Sequence, residues 1–310
     1  MVLNIFLLIL GFVMLVKGAD WFVEGASSVA QKLGVSQLVI GLTIVAMGTS
    51  MPEAAVSITA AMRKNGGITI GNIVGSNIMN ILLILGVTAM ICRVAIQKST
   101  LRYEIPFMIF ITVVLMVSGI TGGQISRIEG VILWLLFILY FVYLFIMIKK
   151  DGTQESEDVK DFPVWQCILM IIIGGALVVK GSDFAVGGAT YIANFFGMST
   201  RVIGLTIVAF GTSLPELVTS VTAARKGHTG IAIGNIIGSN VFNILFVVGT
   251  TALIRSVPFD GKFLVDMWVA IASGAILWLG TVRHKELRRP CGVLMLVCYA
   301  AYFVYLFAFK

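Results

Sequence analysis

Apolar segments long enough to cross a lipid bilayer follow one another along almost the entire chain. A membrane-spanning helix needs about 20 predominantly apolar residues. Hydrophobic residues make up 58% of the 310-residue sequence and charged residues only 12%, whereas a soluble domain carries about 25% charged residues. The sequence therefore predicts an all-α integral membrane protein. We place ten predicted transmembrane helices at residues 3–25, 37–61, 69–91, 104–120, 127–148, 164–188, 201–224, 231–254, 263–281 and 290–309.

Two polar motifs interrupt these apolar segments, and each motif occurs twice at a separation of 163 residues. The segment Gly41-Leu-Thr-Ile-Val-Ala-Met-Gly-Thr-Ser-Met-Pro-Glu53 returns as Gly204-Leu-Thr-Ile-Val-Ala-Phe-Gly-Thr-Ser-Leu-Pro-Glu216. The segment Gly71-Asn-Ile-Val-Gly-Ser-Asn-Ile-Met-Asn80 returns as Gly234-Asn-Ile-Ile-Gly-Ser-Asn-Val-Phe-Asn243. The flanking sequence is much less similar, so the repetition is strongest where polar and helix-breaking residues gather.

The repetition divides the chain into two halves with opposite orientations in the membrane. Each half holds five predicted helices, an odd number, so the second half enters the membrane upside down relative to the first. Two similar halves of inverted topology are typical of secondary transporters. We therefore predict a first five-helix repeat at 1–148, a cytoplasmic linker at 149–163, and a second, inverted repeat at 164–310.

The net charge of +7 comes from Lys and Arg residues in the short predicted loops rather than from a nucleic-acid-binding patch. If the N-terminus is outside, the inner loops hold thirteen Lys and Arg residues and the outer loops hold seven. Because Lys and Arg are enriched on the cytoplasmic side, we predict a plasma (inner) membrane protein with both termini outside. The expected surroundings are the lipid bilayer, with no nucleic acid and no obligate protein partner.

The first motif breaks the helix in which it lies. Pro52 has no N–H, so the carbonyl of Gly48 loses its helical partner, and Gly211 and Pro215 repeat this arrangement. Carbonyl groups freed at membrane depth need a cavity, water or an ion. We expect Ser50 to cap the helix that resumes at Pro52.

Each break is followed at once by a glutamate, Glu53 or Glu216. A carboxylate inside a membrane helix costs roughly 2.5–3.5 kcal/mol and is a functional hypothesis by default. Carboxylate, carbonyl and hydroxyl oxygens together favour hard cations. The two histidines, His228 and His284, fall in predicted loops, which argues against an imidazole-bound metal.

The second motif places small polar residues along one helix face, because its polar positions are four residues apart. These positions are Asn72, Ser76 and Asn80 in the first half, and Asn235, Ser239 and Asn243 in the second. The G-x-x-x-G edges, Gly71 with Gly75 and Gly234 with Gly238, favour close helix packing. Close packing would let short Ser and Asn side chains reach a shared ion.

The remaining membrane charges have structural interpretations. Lys17 and Asp20, repeated as Lys180 and Asp183, are three residues apart and are expected to form ion pairs near the membrane surface. We expect Glu24, Glu104 and Asp266 to be solvated near helix ends. Tyrosines such as Tyr140 and Tyr302 are expected to anchor the helices at the interface or to face lipid.

The two doubled motifs resemble the sodium/calcium exchanger branch of the cation/calcium exchanger (CaCA) superfamily, prokaryotic type, over nearly the whole chain. The resemblance implies a ten-helix fold with four ion sites near the membrane midplane. It implies calcium ligands at Glu53 and Glu216 and the carbonyls of Thr49 and Thr212. It implies sodium ligands at Ala46, Ser50 and Ser76, and at Ala209, Ser213 and Ser239. Asn80 and Asn243 would border the central position, with Asn72, Asn77, Asn235 and Asn240 as supporting polar residues.

One position departs from the pattern of some members, which carry aspartate where this chain has Asn243. The core then contains two carboxylates rather than three, which argues against potassium co-transport and against a proton-binding role at this position. We expect an electrogenic antiporter that moves about three Na⁺ per Ca²⁺ by alternating access. The count follows from the resemblance and from two ionised glutamates, which Ca²⁺ neutralises.

Two other transport functions remain open at this point, a proton/calcium exchanger and a cation channel. Hydroxyl and carbonyl groups beside the glutamates favour sodium over protons as the counter-ion. Two inverted halves in one chain favour a carrier over a channel, whose pore usually forms by oligomer symmetry. The predicted helices contain no Ser/His, Asp/Asp or H-E-x-x-H arrangement, so we expect neither an enzyme nor a bound cofactor, only Na⁺ and Ca²⁺ as transported ions.

Overall fold

A computed structural model describes residues 2–62, 67–150, 162–197 and 209–309, and these residues are almost entirely helical. The first half contains α1 (Val2–Leu33), α2 (Gln37–Ile40), α3 (Ala46–Thr49), α4 (Met51–Met62), α5 (Gly67–Met79), α6 (Gly86–Ile91), α7 (Ile105–Gly122) and α8 (Arg127–Lys150). The second half contains α9 (Val164–Phe195), α10 (Ala209–Thr212), α11 (Leu214–Arg225), α12 (Thr229–Phe242), α13 (Gly249–Ile254), α14 (Phe263–Val282) and α15 (Arg289–Phe309). Within the described residues, four π-helical segments continue the neighbouring α-helices at Gly41–Val45, Asn80–Leu85, Thr100–Glu104 and Asn243–Val248.

Among the described residues, eight helices are long and apolar enough to cross a membrane, and a ninth span results if the bent pair Gln37–Thr49 and Met51–Met62 is one span. This confirms the all-α, multi-pass membrane class. The predicted span 201–224 lies partly outside the described residues, as does most of the linker at 149–163. The count of ten therefore stays a prediction.

The first helix of each half packs against the other over most of its length. Near one end of α1, a Cβ added at Gly11 would lie 2.6 Å from the Gly181 carbonyl, and near the other end one at Gly25 would lie 2.9 Å from the Cys167 carbonyl. The residue numbers run in opposite directions along the contact, so α1 and α9 are antiparallel. Glycine is required here because any side chain would separate the two backbones.

Two short antiparallel strand pairs join loops of the two halves. Val94–Ala95 (β1) pairs with Glu286–Leu287 (β4), and Gln124–Ile125 (β2) pairs with Val257–Pro258 (β3). These strands are the β-structure of the described chain, which is otherwise helices and short connections. Because each pair takes one strand from each half, the pairs fix the two halves to each other at the ends of the bundle.

The centre of the bundle is formed by the two helices that carry the asparagine motif. In the candidate span Thr229–Ile254, 94% of an apolar stretch of 18 residues is buried, whereas in Val2–Leu33 the buried share of such a stretch is 22%. The outer helices expose large apolar side chains such as Phe6, Leu279 and Val297, as expected for surfaces that face hydrocarbon chains. The polar motifs therefore lie at the centre, away from lipid.

The expectation that Glu104 and Asp266 are solvated was wrong. Both carboxylates are buried, and each accepts a hydrogen bond from a tyrosine of a neighbouring helix, Tyr143 for Glu104 and Tyr302 for Asp266. Tyr140 and Tyr302 are buried too, so neither anchors the protein at the interface. Glu104 directly precedes α7 and Asp266 lies in the first turn of α14, and both positions are inside the bundle, where a buried carboxylate needs a partner.

The ion pairs near the end of α1 differ from the expected pattern. Lys180 and Asp183 form the expected pair at 3.5 Å on the exposed face of α9. Asp20, however, pairs with Lys226 at 3.1 Å, and Glu24 pairs with the same lysine at 3.0 Å. Glu24 is thus an inter-helix ion-pair partner rather than a freely solvated residue, and the contact ties α1 to the connection between α11 and α12.

Candidate ion-binding site

Both copies of the first motif lie at a break between two helices. α3 ends at Thr49 and α4 begins at Met51, with a bend of 50° between the two parts of the span. α10 ends at Thr212 and α11 begins at Leu214. Pro52 and Pro215 therefore stand in the first turn of the resumed helices, where a missing N–H is tolerated.

Ser50 and Ser213 occupy the breaks, and both side chains are buried. Ser50 was expected to cap the resumed helix, and its hydroxyl also donates to Glu216 Oε1 at 2.8 Å. Ser213 makes no side-chain capping bond, and its hydroxyl lies 3.4 Å from Glu53 Oε1. Each serine therefore contacts the glutamate of the other half, which places the two breaks side by side.

Glu53 and Glu216 lie in the first turns of α4 and α11 with exposed fractions of 1% and 0%. The Ser76 hydroxyl lies 3.5 Å from Glu53 Oε1, so hydroxyl groups from both halves surround this carboxylate. The Thr212 side chain also interacts with Glu53, as the Thr49 side chain does with Glu216. The first turn of a helix also favours negative charge, because backbone N–H groups point towards it.

Side-chain and backbone oxygens just before the first break lie close to side chains of the second half. The Thr49 hydroxyl lies 3.0 Å from Asn235 Oδ1. The Ser239 hydroxyl lies 3.4 Å from the carbonyl oxygen of Ala46. Ala209, the counterpart of Ala46, begins α10, and its side chain lies outside the described part of the chain.

Close packing of α12 on the helix before the first break brings these groups together. A Cβ added at Gly238 would lie 2.6 Å from the Leu42 carbonyl and 2.7 Å from the Ala46 Cβ. The expected close approach thus holds for the second G-x-x-x-G edge. Within the described residues, a Cβ at Gly75 would meet nothing within 4 Å.

Four asparagines form a second polar layer across the middle of the bundle. The Asn77 side chain donates to the Asn240 carbonyl at 3.3 Å, and Asn240 donates to the Asn77 carbonyl at 3.2 Å. Asn80 donates to Asn240 Oδ1 at 2.9 Å, and Asn243 donates to Asn77 Oδ1 at 3.1 Å. Asn80 and Asn243 are the first residues of two π-helical segments, a distortion that is frequent at functional sites.

The outer asparagines hold the backbone of the helices that carry the glutamates. The Asn72 amide lies 3.0 Å from Ser57 Oγ and 3.4 Å from the Glu53 carbonyl. In the second half, the Asn235 amide lies 2.9 Å from Ser220 Oγ and 3.5 Å from the Glu216 carbonyl. Asn72 and Asn235 therefore position the glutamates through α4 and α11.

Sequence reasoning missed three of these serines. Ser57 and Ser220 follow the glutamates by four residues and are themselves repeated at the separation of 163, so the repeat held the signal. Ser182 of α9 donates to the carbonyl of Gly211 at 2.6 Å. Its counterpart in the first half is Ala19, so the repeat carried no signal for it.

Four buried oxygens of this site find no hydrogen-bond donor among the described residues: Glu53 Oε2, Glu216 Oε2, Asn80 Oδ1 and Asn243 Oδ1. Buried acceptors without a donor are destabilising unless something else satisfies them. The described residues contain no group of three or more His, Cys, Asp and Glu side chains that could hold a metal. The available donor set is thus two carboxylates with neutral amide, hydroxyl and carbonyl oxygens, which suits a hard cation such as Ca²⁺ or Na⁺.

A membrane-embedded helical bundle with two broken helices and a buried pair of glutamates belongs to the class of ion transporters. The family model described as "Sodium/calcium exchanger protein" matches residues 3–148 and 167–308. The chain therefore belongs to the sodium/calcium exchanger family, which confirms the resemblance read from the motifs. The family and the fold are those of cation/calcium antiporters, not of enzymes.

Relatives similar over their full length support this membership. The putative antiporter CaxA of Alkalimonas amylolytica is 40% identical over an alignment of 319 positions that spans 99% of each chain. The sodium/calcium exchanger MaX1 of Methanosarcina acetivorans is 34% identical over an alignment of 352 positions that spans 98% of each chain. A structure of the sodium-calcium exchanger NCX_Mj soaked with Na⁺ and Ca²⁺ superposes with a TM-score of 0.86 at 34% identity, covering 100% of this chain and 99% of that one.

Proposed function

We propose that this protein is a secondary active antiporter that exchanges Na⁺ for Ca²⁺ by alternating access. The observation that carries the proposal is the set of four buried acceptor oxygens, two from each half, that no hydrogen-bond donor satisfies. Glu53 and Glu216 would bind Ca²⁺ together with the carbonyls of Thr49 and Thr212. Asn80 and Asn243 would border the ion at the centre with neutral amide oxygens.

Sodium would use hydroxyl and carbonyl oxygens beside the same carboxylates. The proposed ligands are Ala46, Ser50 and Ser76 on one side, and Ala209, Ser213 and Ser239 on the other. In support, the hydroxyls of Ser50, Ser76 and Ser213 each lie within 3.5 Å of a glutamate oxygen. A cation bound to one of these hydroxyls would also contact the carboxylate, so Na⁺ and Ca²⁺ would compete for the same oxygens.

Competition for shared oxygens gives exchange rather than co-transport. With both glutamates ionised, the pocket carries two negative charges, which one Ca²⁺ neutralises. Three Na⁺ would leave it with one positive charge. Either load could cross the membrane but not both together, so a sodium gradient drives calcium the other way, and we propose about three Na⁺ per Ca²⁺.

The proposed architecture is two inverted five-helix repeats, 1–148 and 164–310, joined by the linker at 149–163. Three observations support it: α1 and α9 are antiparallel, the strand pairs join opposite halves, and each motif serine contacts the other half's glutamate. We also propose that the protein lies in the plasma membrane with both termini outside. A reporter fused to the C-terminus and active only in the cytoplasm should be inactive.

The proposal is tested by radiolabelled calcium uptake into proteoliposomes. Vesicles loaded with Na⁺ and diluted into Na⁺-free medium should accumulate calcium, and vesicles loaded with choline should not. A pH gradient imposed without sodium should produce no uptake. Uptake driven by the pH gradient alone, or uptake that follows the calcium gradient whatever the internal cation, would overturn sodium exchange.

A proton/calcium exchanger is the second candidate. One oxygen of each glutamate lacks a hydrogen-bond donor, and a proton bound there could neutralise the carboxylate as an ion would. The same uptake assay distinguishes the two candidates, because proton exchange requires the pH gradient and sodium exchange requires internal Na⁺.

A further inference from the structure

An apolar groove with a volume of about 610 Å³ opens between the α1–α9 pair and α15. Leu8 of α1 and Ala189 of α9 line one wall, and Tyr299 and Phe303 of α15 line the opposite wall. Its volume falls in the range of about 300–1,000 Å³ that is usual for small-ligand pockets. Tyr299 is the only residue with a polar side chain among the described lining residues, so water has almost nothing to bind there.

Several groove-lining positions have small or flexible side chains where the other repeat carries aromatic rings. Phe242 and Phe246 stack on each other at 4.6 Å between ring centres, and both pack against Phe137. At the separation of 163 residues, the first half has Met79 and Leu83 in place of these rings, and both of these residues line the groove. Smaller side chains therefore leave open a space of the kind that aromatic rings fill in the second half.

The mouth of the groove opens onto the lipid-facing surface. Phe12 at its edge is 49% exposed, and Ala300 on the opposite edge is exposed as well. The walls are formed by α1, α9 and α15, which qualify as membrane spans, and the lining residues Leu8, Ala189 and Phe303 lie three to six residues from one end of their spans. Exposed apolar side chains such as Phe6 and Ile9 surround the mouth, as on a surface that faces lipid chains. An unfilled groove would leave its lining atoms without dispersion contacts.

We propose that this groove binds an acyl chain of a membrane phospholipid. Phe210 and Leu214 form part of the groove, and Leu214 directly precedes Pro215 and Glu216. A bound chain would therefore pack against the second helix break and help to keep water away from the ion site on its lipid side. It would also brace the α1–α9 pair against α15.

The test uses full-length protein in membranes with a phosphatidylcholine whose palmitoyl chain ends in a photoreactive diazirine. After illumination, mass spectrometry locates the labelled residues. We expect label concentrated on groove residues such as Ala189 and Phe303. Leu83→Phe, which copies Phe246, and Ala300→Phe, which fills the mouth, should each lose that label.

Ala301→Phe provides a matched control, because it makes the same change on the next, exposed position of α15, which does not line the groove. Its groove label should equal that of the wild type, and a thermal unfolding curve checks that each variant is folded. Label spread evenly over exposed positions such as Val297 would show annular lipid only. Unchanged label in both filling variants, or cross-links between two copies of the chain through groove residues, would also overturn the proposal.

Discussion

Glu53 and Glu216 are buried among hydroxyl and amide groups, and one oxygen of each has no donor. Replacing either by glutamine keeps the size of the side chain and removes its charge. We expect Glu53→Gln and Glu216→Gln each to abolish sodium-driven calcium uptake, because a pocket with half of its charge cannot neutralise Ca²⁺. Folding should be preserved, since removing an unpaired buried charge is not destabilising.

The measurement is calcium uptake in proteoliposomes, with thermal unfolding as the check on folding. Asp183→Asn is the matched control, because it removes a carboxylate whose side chain is 58% exposed on the face of α9. It should retain wild-type uptake. Full activity in either glutamate variant would remove that residue from the calcium site.

At the residue scale, the sequence identified most of the polar groups that meet in the structure, because duplication marks them twice. Ser50 shows the limit of that reasoning. The motif suggested a local cap, whereas the hydroxyl contacts Glu216, 166 residues away. Local sequence favours local partners, and only the packing of the two halves decides which partner a buried hydroxyl finds.

At the scale of elements, the contact between α12 and the helix before the first break depends on the absence of a side chain. Gly238→Ala would place a Cβ 2.6 Å from the Leu42 carbonyl. We expect a loss of about 1–3 kcal/mol in the free energy of unfolding, as for other overpacked cores. Uptake should also fall, because Ser239 would move away from the Ala46 carbonyl.

Gly187→Ala is the control for this variant, because a Cβ at this exposed position of α9 meets nothing within 4 Å. Alanine there should stabilise the helix slightly, by up to about 1 kcal/mol. The two variants are compared by thermal unfolding in the same detergent. If the Gly238→Ala and Gly187→Ala variants unfold at the same temperature, the helices near Gly238 can separate to admit a Cβ without losing stability, and the prediction is wrong.

The connection between α11 and α12 holds a histidine that should make stability depend on pH. Burial lowers the pKa of His228 from its ordinary value of 6.5, Lys226 lowers it further, and Glu24 acts in the opposite direction. The ring Nδ1 lies 3.0 Å from the Gln37 amide and 3.4 Å from the Ser27 hydroxyl. The neutral ring, which can accept these bonds, is the folded form.

The folded protein therefore binds a proton at His228 less readily than the unfolded chain does. The neutral His228 ring stabilises the folded protein fully when the pH is above 6.5, the ordinary histidine pKa. This stabilisation is lost as the pH falls through that value towards the lower pKa of the folded state. We expect the unfolding temperature to drop on acidification from about pH 7.5 to about pH 5.5. His228→Asn, which keeps an acceptor without titrating, should show a smaller drop, and an identical drop would contradict the prediction.

An element could be predicted when the residues that cause it are close together in the sequence. Helix breaks follow from proline and glycine, and spans follow from hydropathy. The π-helical segments that begin at Asn80 and Asn243 have no such signal, because their extra residue is stabilised by the surrounding bundle. Glu104 and Asp266 were misjudged for a similar reason, since their tyrosine partners lie on other helices.

At the scale of the whole molecule, the two halves are joined by reciprocal contacts at the helix breaks, at the asparagine layer and at the strand pairs. The inversion of the two halves, expected from an odd number of predicted spans in each, stays a prediction. The position of one half against the other depends on backbone contacts such as those at Gly11 and Gly238. Sequence spacing indicates that such contacts are favoured but not which helix will be the partner.

The proposed stoichiometry predicts that transport responds to membrane voltage. Exchange of three Na⁺ for one Ca²⁺ moves one net positive charge in the direction of sodium. That charge is worth about 2.3 kcal/mol per 100 mV, or about 50-fold in the equilibrium calcium ratio. In sodium-loaded proteoliposomes, positive charge leaves as calcium enters, so an inside-positive voltage should accelerate uptake and an inside-negative voltage should slow it.

Valinomycin with chosen potassium gradients sets the voltage while the sodium gradient stays fixed, and equal potassium on both sides gives the zero-voltage reference. Proteoliposomes with Glu53→Gln report any calcium leak that the voltage itself drives, and this is subtracted. Uptake and the final calcium ratio should both rise with inside-positive voltage. If both are the same at every voltage, exchange is electroneutral, as it would be with two Na⁺ per Ca²⁺, and the pair of glutamates would then be neutralised equally by either load.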